Sequence, residues 1–252
     1  MKIDLNCDLG EGFGIYALGN DEKIMDYVTS VNIACGCHAG DPEIMEKTVE
    51  LAMKKGVAIG AHPGYPDLQG FGRRDMSMSK EALRASMIYQ ISALKGFVEI
   101  KGGKLQHVKP HGALYNLAAK DYEVARVIAQ AIYDIDPSIV LMGLSDSEMI
   151  KAGLDVGLKV AREVFADRRY TKEKKLVSRN LKGAVIDKVE DSISQCMSII
   201  KQHEIIDYDG HKQVLEGDSI CIHGDNAHGI ELVSRLKETL TDNAIKIQSL
   251  EV

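Results

Sequence analysis

Residues 3–14 read Ile3-Asp4-Leu5-Asn6-Cys7-Asp8-Leu9-Gly10-Glu11-Gly12-Phe13-Gly14. Side chains of a strand alternate between its faces. Ile3, Leu5, Cys7 and Leu9 therefore share an apolar side, and Asp4, Asn6 and Asp8 share the other. A glycine loop carrying Glu11 follows at once. Three oxygen-bearing side chains in line beside an irregular loop point to a ligand rather than to a plain core.

The pattern recurs outward from this stretch. Strand-like runs at Val31–Cys37, Val57–Ala61, Leu105–Lys109, Ile139–Gly143, Leu158–Phe165 and Ser219–Ile222 alternate with helical stretches. The helices are expected over Asp21–Thr29, Asp41–Lys55, Ser79–Ile100, Asp121–Tyr133, Ser147–Gly153, Glu190–His203 and Gly229–Leu240, with a short final strand at Ile245–Leu250. Asp41-Pro42 and Ser79 are helix-start signals, and Gly56 and Gly102 are stops. Alternating β and α units imply a parallel sheet, because parallel neighbours need a crossover. Seven or eight units in 252 residues suit a (β/α) barrel. No linker or composition break appears, so one domain over residues 1–252 is expected. The charged, irregular section Ala166–Val185 is expected over one mouth of the barrel.

Composition narrows the class. Net charge is −6, with no basic tract, which argues against nucleic acid. No apolar run is long enough to span a bilayer, and no signal segment opens the chain. The five cysteines lack a disulfide-framework spacing. A cytoplasmic enzyme or small-molecule binder is the expectation.

The strands carry their polar residues to one edge. Asn32 and His38, His62, His107 with Lys109 and His111, Glu163 with Asp167, and Cys221 with His223 and Asp225 each continue the polar face of a strand. Active sites of parallel α/β folds lie at the C-terminal strand ends. Asp8, His38 and His62 suit a metal site, or a hydrogen-bonded cluster without one. Arg73-Arg74 and Arg168-Arg169 offer planar forks for carboxylate or phosphate. His223 and Asp225 read as an acid/base pair. Neither glycine loop, Gly10–Gly14 or Gly70–Gly72, is a P-loop or a dinucleotide fingerprint, and no nucleophile elbow is present.

Long phrases now join these residues. Asp4–Glu11, Asn32–Asp41 (NIACGCHAGD), Gly60–Pro63 (GAHP), Gly70–Arg74 (GFGRR), Val108–Asn116 (VKPHGALYN), Glu163–Tyr170 (EVFADRRY) and Ile222–Asp225 (IHGD) closely resemble the LamB/YcsF family. The resemblance implies a seven-stranded, deacetylase-like barrel. It also implies the A subunit of an ATP-dependent 5-oxoprolinase, working with the B and C subunits to open 5-oxo-L-proline to L-glutamate. ATP with Mg²⁺ is the implied cofactor, and a second divalent metal stays open. On this resemblance Asp8, Glu11 and Asp41 are the candidates to hold Mg²⁺. Lys109 and Arg73 would stabilise charge during phosphoryl transfer to the lactam oxygen. Arg74, Arg168 or Arg169 would clamp the substrate carboxylate, and Asn6, Asn32, His38 and His62 would line the substrate face. His111, His223 and Asp225 would move protons. Lys109→Met is expected to stop turnover and spare the fold.

Two rivals remain from the residues themselves. One is a metal-dependent deacetylase or amidohydrolase built on Asp8, His38 and His62. The other is a non-catalytic ligand-binding subunit.

Overall fold

β1 (Lys2–Leu9) pairs on both sides, and that double pairing closes a barrel. The computed structural model describes residues 1–16, 20–222 and 227–251. After β1 come α1 (Asp21–Ile24), β2 (Ser30–Ala34), α2 (Pro42–Lys55), β3 (Ala58–His62), α3 (Lys80–Ile100) and β4 (Leu105–Val108). Next are α4 (Gly112–Ala118), α5 (Tyr122–Ile135), β5 (Val140–Leu144), α6 (Glu148–Val156) and β6 (Val160–Phe165). The chain continues with α7 (Val189–Gln202), β7 (Glu204–Ile206), β8 (Lys212–Val214), β9 (Ser219–Cys221), α8 (Ala227–Asp242) and β10 (Lys246–Ile247).

β1 to β6 and β9 form a closed, parallel, seven-stranded barrel, as the strand pattern predicts. β10 adds a parallel pairing at the start of β1. The expected helix over residues 21–29 is only Asp21–Ile24. Three elements have no counterpart in the sequence pattern: α4, and the antiparallel strands β7 and β8.

Local chemistry sets the boundaries. Asp41 caps α2 by accepting from the Glu43 and Ile44 amides at 2.9 and 3.0 Å, and Gly56 ends that helix at φ 67°. Ser79 caps α3 through the Ala82 amide. The inner face of α3 buries Leu83, Met87, Ile91, Leu94 and Val98, a three-to-four-residue spacing that makes one stripe. Each such side chain stabilises the fold by about 1.5–3 kcal/mol on burial. Leu5, Val31, Ile33, Ala61, Val108, Val164 and Ile220 are buried on the other strand face. No helix among the described residues is long and apolar enough to cross a membrane.

Candidate active site at the barrel mouth

The barrel interior is a polar ladder, not the layered aliphatic filling usual for such barrels. Register aligns Asp8 with Asn32, Asn32 with Gly60, and Gly60 with His107. At the base, Asp4 accepts from Thr29 Oγ1 at 2.7 Å, from Ser30 Oγ at 2.8 Å and from the Ser219 hydroxyl. Burial pushes the Asp4 carboxyl up from its usual range, against those three donors. Asn6 Nδ2 then donates to Ser219 Oγ at 2.8 Å. Asn32 Nδ2 donates to both Asn6 Oδ1 and Asp8 Oδ1 at 2.8 Å, which leaves Asn32 Oδ1 to accept from His107 Nε2 at 2.7 Å. Burial lowers His107 to about 3, so its ring is neutral.

Lys109 sits at the top of this ladder and is 2 % exposed. Its ammonium lies 2.9 Å from Asp8 Oδ1, 2.7 Å from Glu163 Oε1 and 3.3 Å from both Asn6 Oδ1 and Cys221 Sγ. Burial opposes its charge, but Asp8, Cys221 and Glu163 together carry its pKa well above the ordinary lysine value. Asp8 is the reciprocal case: burial raises it, while His62 and Lys109 pull it well below the usual carboxylate range. Tyr115, delivered by α4, donates to Glu163 Oε2 at 2.7 Å. An ionised carboxylate with a side chain still 17 % exposed thus crowns a buried cation.

Beside Asp8 stand three histidines. His62 Nδ1 donates to the Lys109 carbonyl at 2.7 Å, and its Nε2 lies 3.3 Å from Asp8 Oδ2. His111 Nε2 donates to the Phe71 carbonyl at 2.8 Å, while its Nδ1 lies 2.9 Å from His62 Nε2. His38 stacks on His111, with ring centres 3.8 Å apart and planes 4° from parallel. Glu11 Oε1 lies 3.8 Å from His38 Nε2 and 3.7 Å from His111 Nδ1. The loop after β3 is moulded to these rings. Phe71 adopts φ 55°, a left-handed conformation costly for a bulky residue, and so aims its carbonyl at His111. A Cβ on Gly72 would come within 2.8 Å of His38 and 2.9 Å of His111.

Several expected roles need correction. Asp41 does not face the mouth as a ligand: Oδ1 caps α2 and Oδ2 accepts from the Gly14 amide at 2.7 Å. Arg74 is held by Asp67, with Nε at 3.0 Å from Oδ2 and a second contact through Nη2, so its fork is already used. Asn6 and Asn32 are fully buried beneath Asp8 and position it rather than line the mouth. The donors of Lys109 are all directed at protein groups. Arg73 is exposed and lies over the Phe71 ring at 5.0 Å. Arg168 is buried, donates from Nη2 to the Val177 carbonyl, and has no partner for Nε among the described residues; burial lowers it to about 10. Arg169 is half-buried, bridged through its backbone to residues 177 and 184. His223 and Asp225 lie outside the described residues.

The geometry gathers Asp8, Glu11, His38, His62, Lys109 and His111, and adds Glu163, His107, Tyr115 and the Phe71 carbonyl, none of which the sequence reading made site residues. Glu163 had a signal, since it continues the polar face of its strand. Tyr115 had none, because no capping side chain announces α4.

The LamB/YcsF family profile matches residues 3–252. The chain belongs to the LamB/YcsF family. It is 51 % identical over 250 residues to a protein of Alkaliphilus metalliredigens (strain QYMF) named as the A subunit of 5-oxoprolinase, covering 99 % of this chain and 98 % of that one. A crystal structure of a lactam utilization protein from Thermus thermophilus superposes with a TM-score of 0.94 at 38 % identity, over 99 % of this chain and 100 % of the other. The catalytic domain of a peptidoglycan N-acetylglucosamine deacetylase from Eubacterium rectale ATCC 33656 gives a TM-score of 0.52 at 10 % identity, over 99 % and 88 % of the two chains. That last likeness is one of fold: this LamB/YcsF protein is a deacetylase-like barrel.

Proposed function

We propose that this LamB/YcsF chain is the A subunit of an ATP-dependent 5-oxoprolinase, which opens the lactam of 5-oxo-L-proline to L-glutamate together with the B and C subunits. Whole-length likeness to a protein named for that role supports the reading. The single structural observation that carries it is Asp8, reachable from the mouth and held ionised by Lys109 and His62.

The chemistry explains ATP. An unstrained amide is a poor electrophile. Moving the γ-phosphoryl group to the lactam oxygen breaks the bond to ADP and makes the ring carbon reactive. Water then adds to that carbon and the C–N bond breaks with a proton going to the ring nitrogen, which leaves an acyl phosphate; a second water hydrolyses it to L-glutamate and phosphate. Asp8 would hold the Mg²⁺ that accompanies the phosphates, and that ion would neutralise their charge. Lys109 keeps Asp8 ionised and adds a fixed positive field beneath the reacting oxygens. Arg168, whose Nε has no hydrogen-bond partner among the described residues, is the candidate cation for the substrate carboxylate, through that one nitrogen.

A second reading is ATP-independent hydrolysis, favoured by the histidine cluster next to Asp8. Phosphate release from Mg-ATP, with and without 5-oxoproline, separates the two when glutamate is measured alongside. Release that depends on 5-oxoproline, from this chain alone or after adding the B and C subunits, is expected. Glutamate formed without ATP would overturn the ATP-coupled reading, and silence in every setting would sink both.

A further inference from the structure

We propose that Glu11, His38, His62 and His111 hold one divalent first-row metal ion of the zinc class. One carboxylate oxygen and one ring nitrogen from each histidine lie within 4.8 Å of one another. The set differs from the Asp8, His38 and His62 combination suggested by sequence, and it does not depend on the ATP-coupled reading.

Hydrogen bonds fix two of the tautomers. His62 Nδ1 faces the Lys109 carbonyl at 2.7 Å, which can only accept, so that nitrogen carries the proton. His111 Nε2 faces the Phe71 carbonyl at 2.8 Å and is protonated for the same reason. The remaining nitrogens, His62 Nε2 and His111 Nδ1, then point lone pairs at each other across 2.9 Å. Two lone pairs do not stay that close without a cation between or beside them. Two nitrogens bonded to one metal at about 2.0–2.1 Å each stand about 2.9 Å apart at a right angle and about 3.3 Å apart at the tetrahedral angle zinc prefers, so a shared ion needs a shift of only a few tenths of an ångström.

A single extra proton on His62 would also relieve that pair, donating to His111 or to Asp8. His38 decides against the proton. Both of its ring nitrogens are buried without a hydrogen-bond partner among the described residues. A buried polar group without a partner is destabilising, because it has given up water and gained nothing in return. A proton shared by His62 and His111 gives His38 nothing, whereas a metal ion takes its lone pair. Glu11 Oε1 lies on the side where the His38 and His111 rings present nitrogen.

The supporting shell is of the kind metal-bound histidines use, with the distal N–H of His62 and of His111 tied to a carbonyl. Gly64 and Gly72 leave room for the His38 ring; a Cβ on Gly64 would stand 2.7 Å from His38 Nδ1. Three imidazoles and one carboxylate suit zinc, cobalt, iron or nickel better than magnesium or calcium.

Cobalt(II) is the probe. The full chain, stripped with chelator and shown folded by circular dichroism, is titrated with Co²⁺ while visible absorption is recorded, then challenged with Zn²⁺. One equivalent of Co²⁺ should give ligand-field bands that one equivalent of Zn²⁺ erases. Glu11→Gln should weaken binding, and His38→Ala should lose the bands. A folded, stripped chain that takes up neither ion overturns the proposal, as do bands unchanged in both variants. Should His38→Ala fail to fold, ring-nitrogen NMR of the parent chain replaces it. His62 Nε2 and His111 Nδ1 should shift together on adding Zn²⁺, and a doubly protonated His62 in excess Zn²⁺ overturns the site.

Discussion

The Lys109 ammonium and the Glu163 carboxylate meet at 2.7 Å where the lysine side chain is 3 % exposed and the glutamate not at all. Removing the cation leaves Glu163 and Asp8 with uncompensated charge inside the barrel, at a cost of about 3–5 kcal/mol. Lys109→Met should therefore lose stability as well as turnover, contrary to the expectation from sequence that the fold is spared. Lys109→Met combined with Glu163→Gln should recover part of the loss. Urea melts of the single and double variants check this, and equal midpoints would refute the coupling.

Gly60 exists to admit a ring. A Cβ there would meet His107 Nε2 at 2.1 Å, and the ring is pinned to Asn32. Gly60→Ala should cost about 1–3 kcal/mol by overpacking and disturb Asp8 through Asn32, lowering kcat. Gly96→Ala is the control: it lies in α3 with open space around the new methyl and should stabilise by up to about 1 kcal/mol. Thermal melts of the two variants should move in opposite directions.

Acid should weaken the protein through His107. Burial holds its folded-state value at about 3, against roughly 6.5 in the unfolded chain. Between those limits the unfolded state binds the extra proton, so stability is full above roughly pH 6.5 and falls as pH drops towards 3. His107 alone contributes up to about 1.4 kcal/mol per pH unit in that window. Denaturation midpoints of the parent chain and His107→Gln at about pH 7 and about pH 5, one above and one within that window, test it. The variant should lose less on acidification, and parallel losses would exclude His107 as a source.

Asp41 should behave as a helix cap. Asp41→Ala should cost about 1 kcal/mol, while Asp41→Asn keeps an accepting oxygen and should be nearly neutral. Neither change should alter the Mg²⁺ concentration needed for half-maximal activity. A raised requirement in Asp41→Asn would return Asp41 to the set of ligands.

Much of the site was legible because alternation in a strand reports which side chains share a face. Asp4, Asn6 and Asp8, or His107 and Lys109, could be grouped without coordinates. Register could not be read, since nothing in a single strand says that Asn32 will stand opposite Asp8. The proposed metal set was half legible for a related reason. His38 and His62 follow strands, but Glu11 lies in a glycine loop whose path the sequence does not specify. Asp41 was misread because a capping carboxylate and a ligating one are the same chemical group. Arg74 was misread because its partner, Asp67, belongs to no periodic element.

The double pairing of β1 has a consequence for synthesis on the ribosome. Asn6 reaches Ser219 across 213 positions of sequence and Asp4 reaches it across 215. The first strand to leave the exit tunnel thus finds the Thr29 and Ser30 hydroxyls early but waits for nearly the last strand before Asp4 and Asn6 meet Ser219. Contacts that distant slow folding, because the intervening loop must be ordered first. A nascent chain stalled before residue 219 keeps Asp4 and Asn6 on an open sheet edge, where chaperone binding and proteolysis have their longest opportunity.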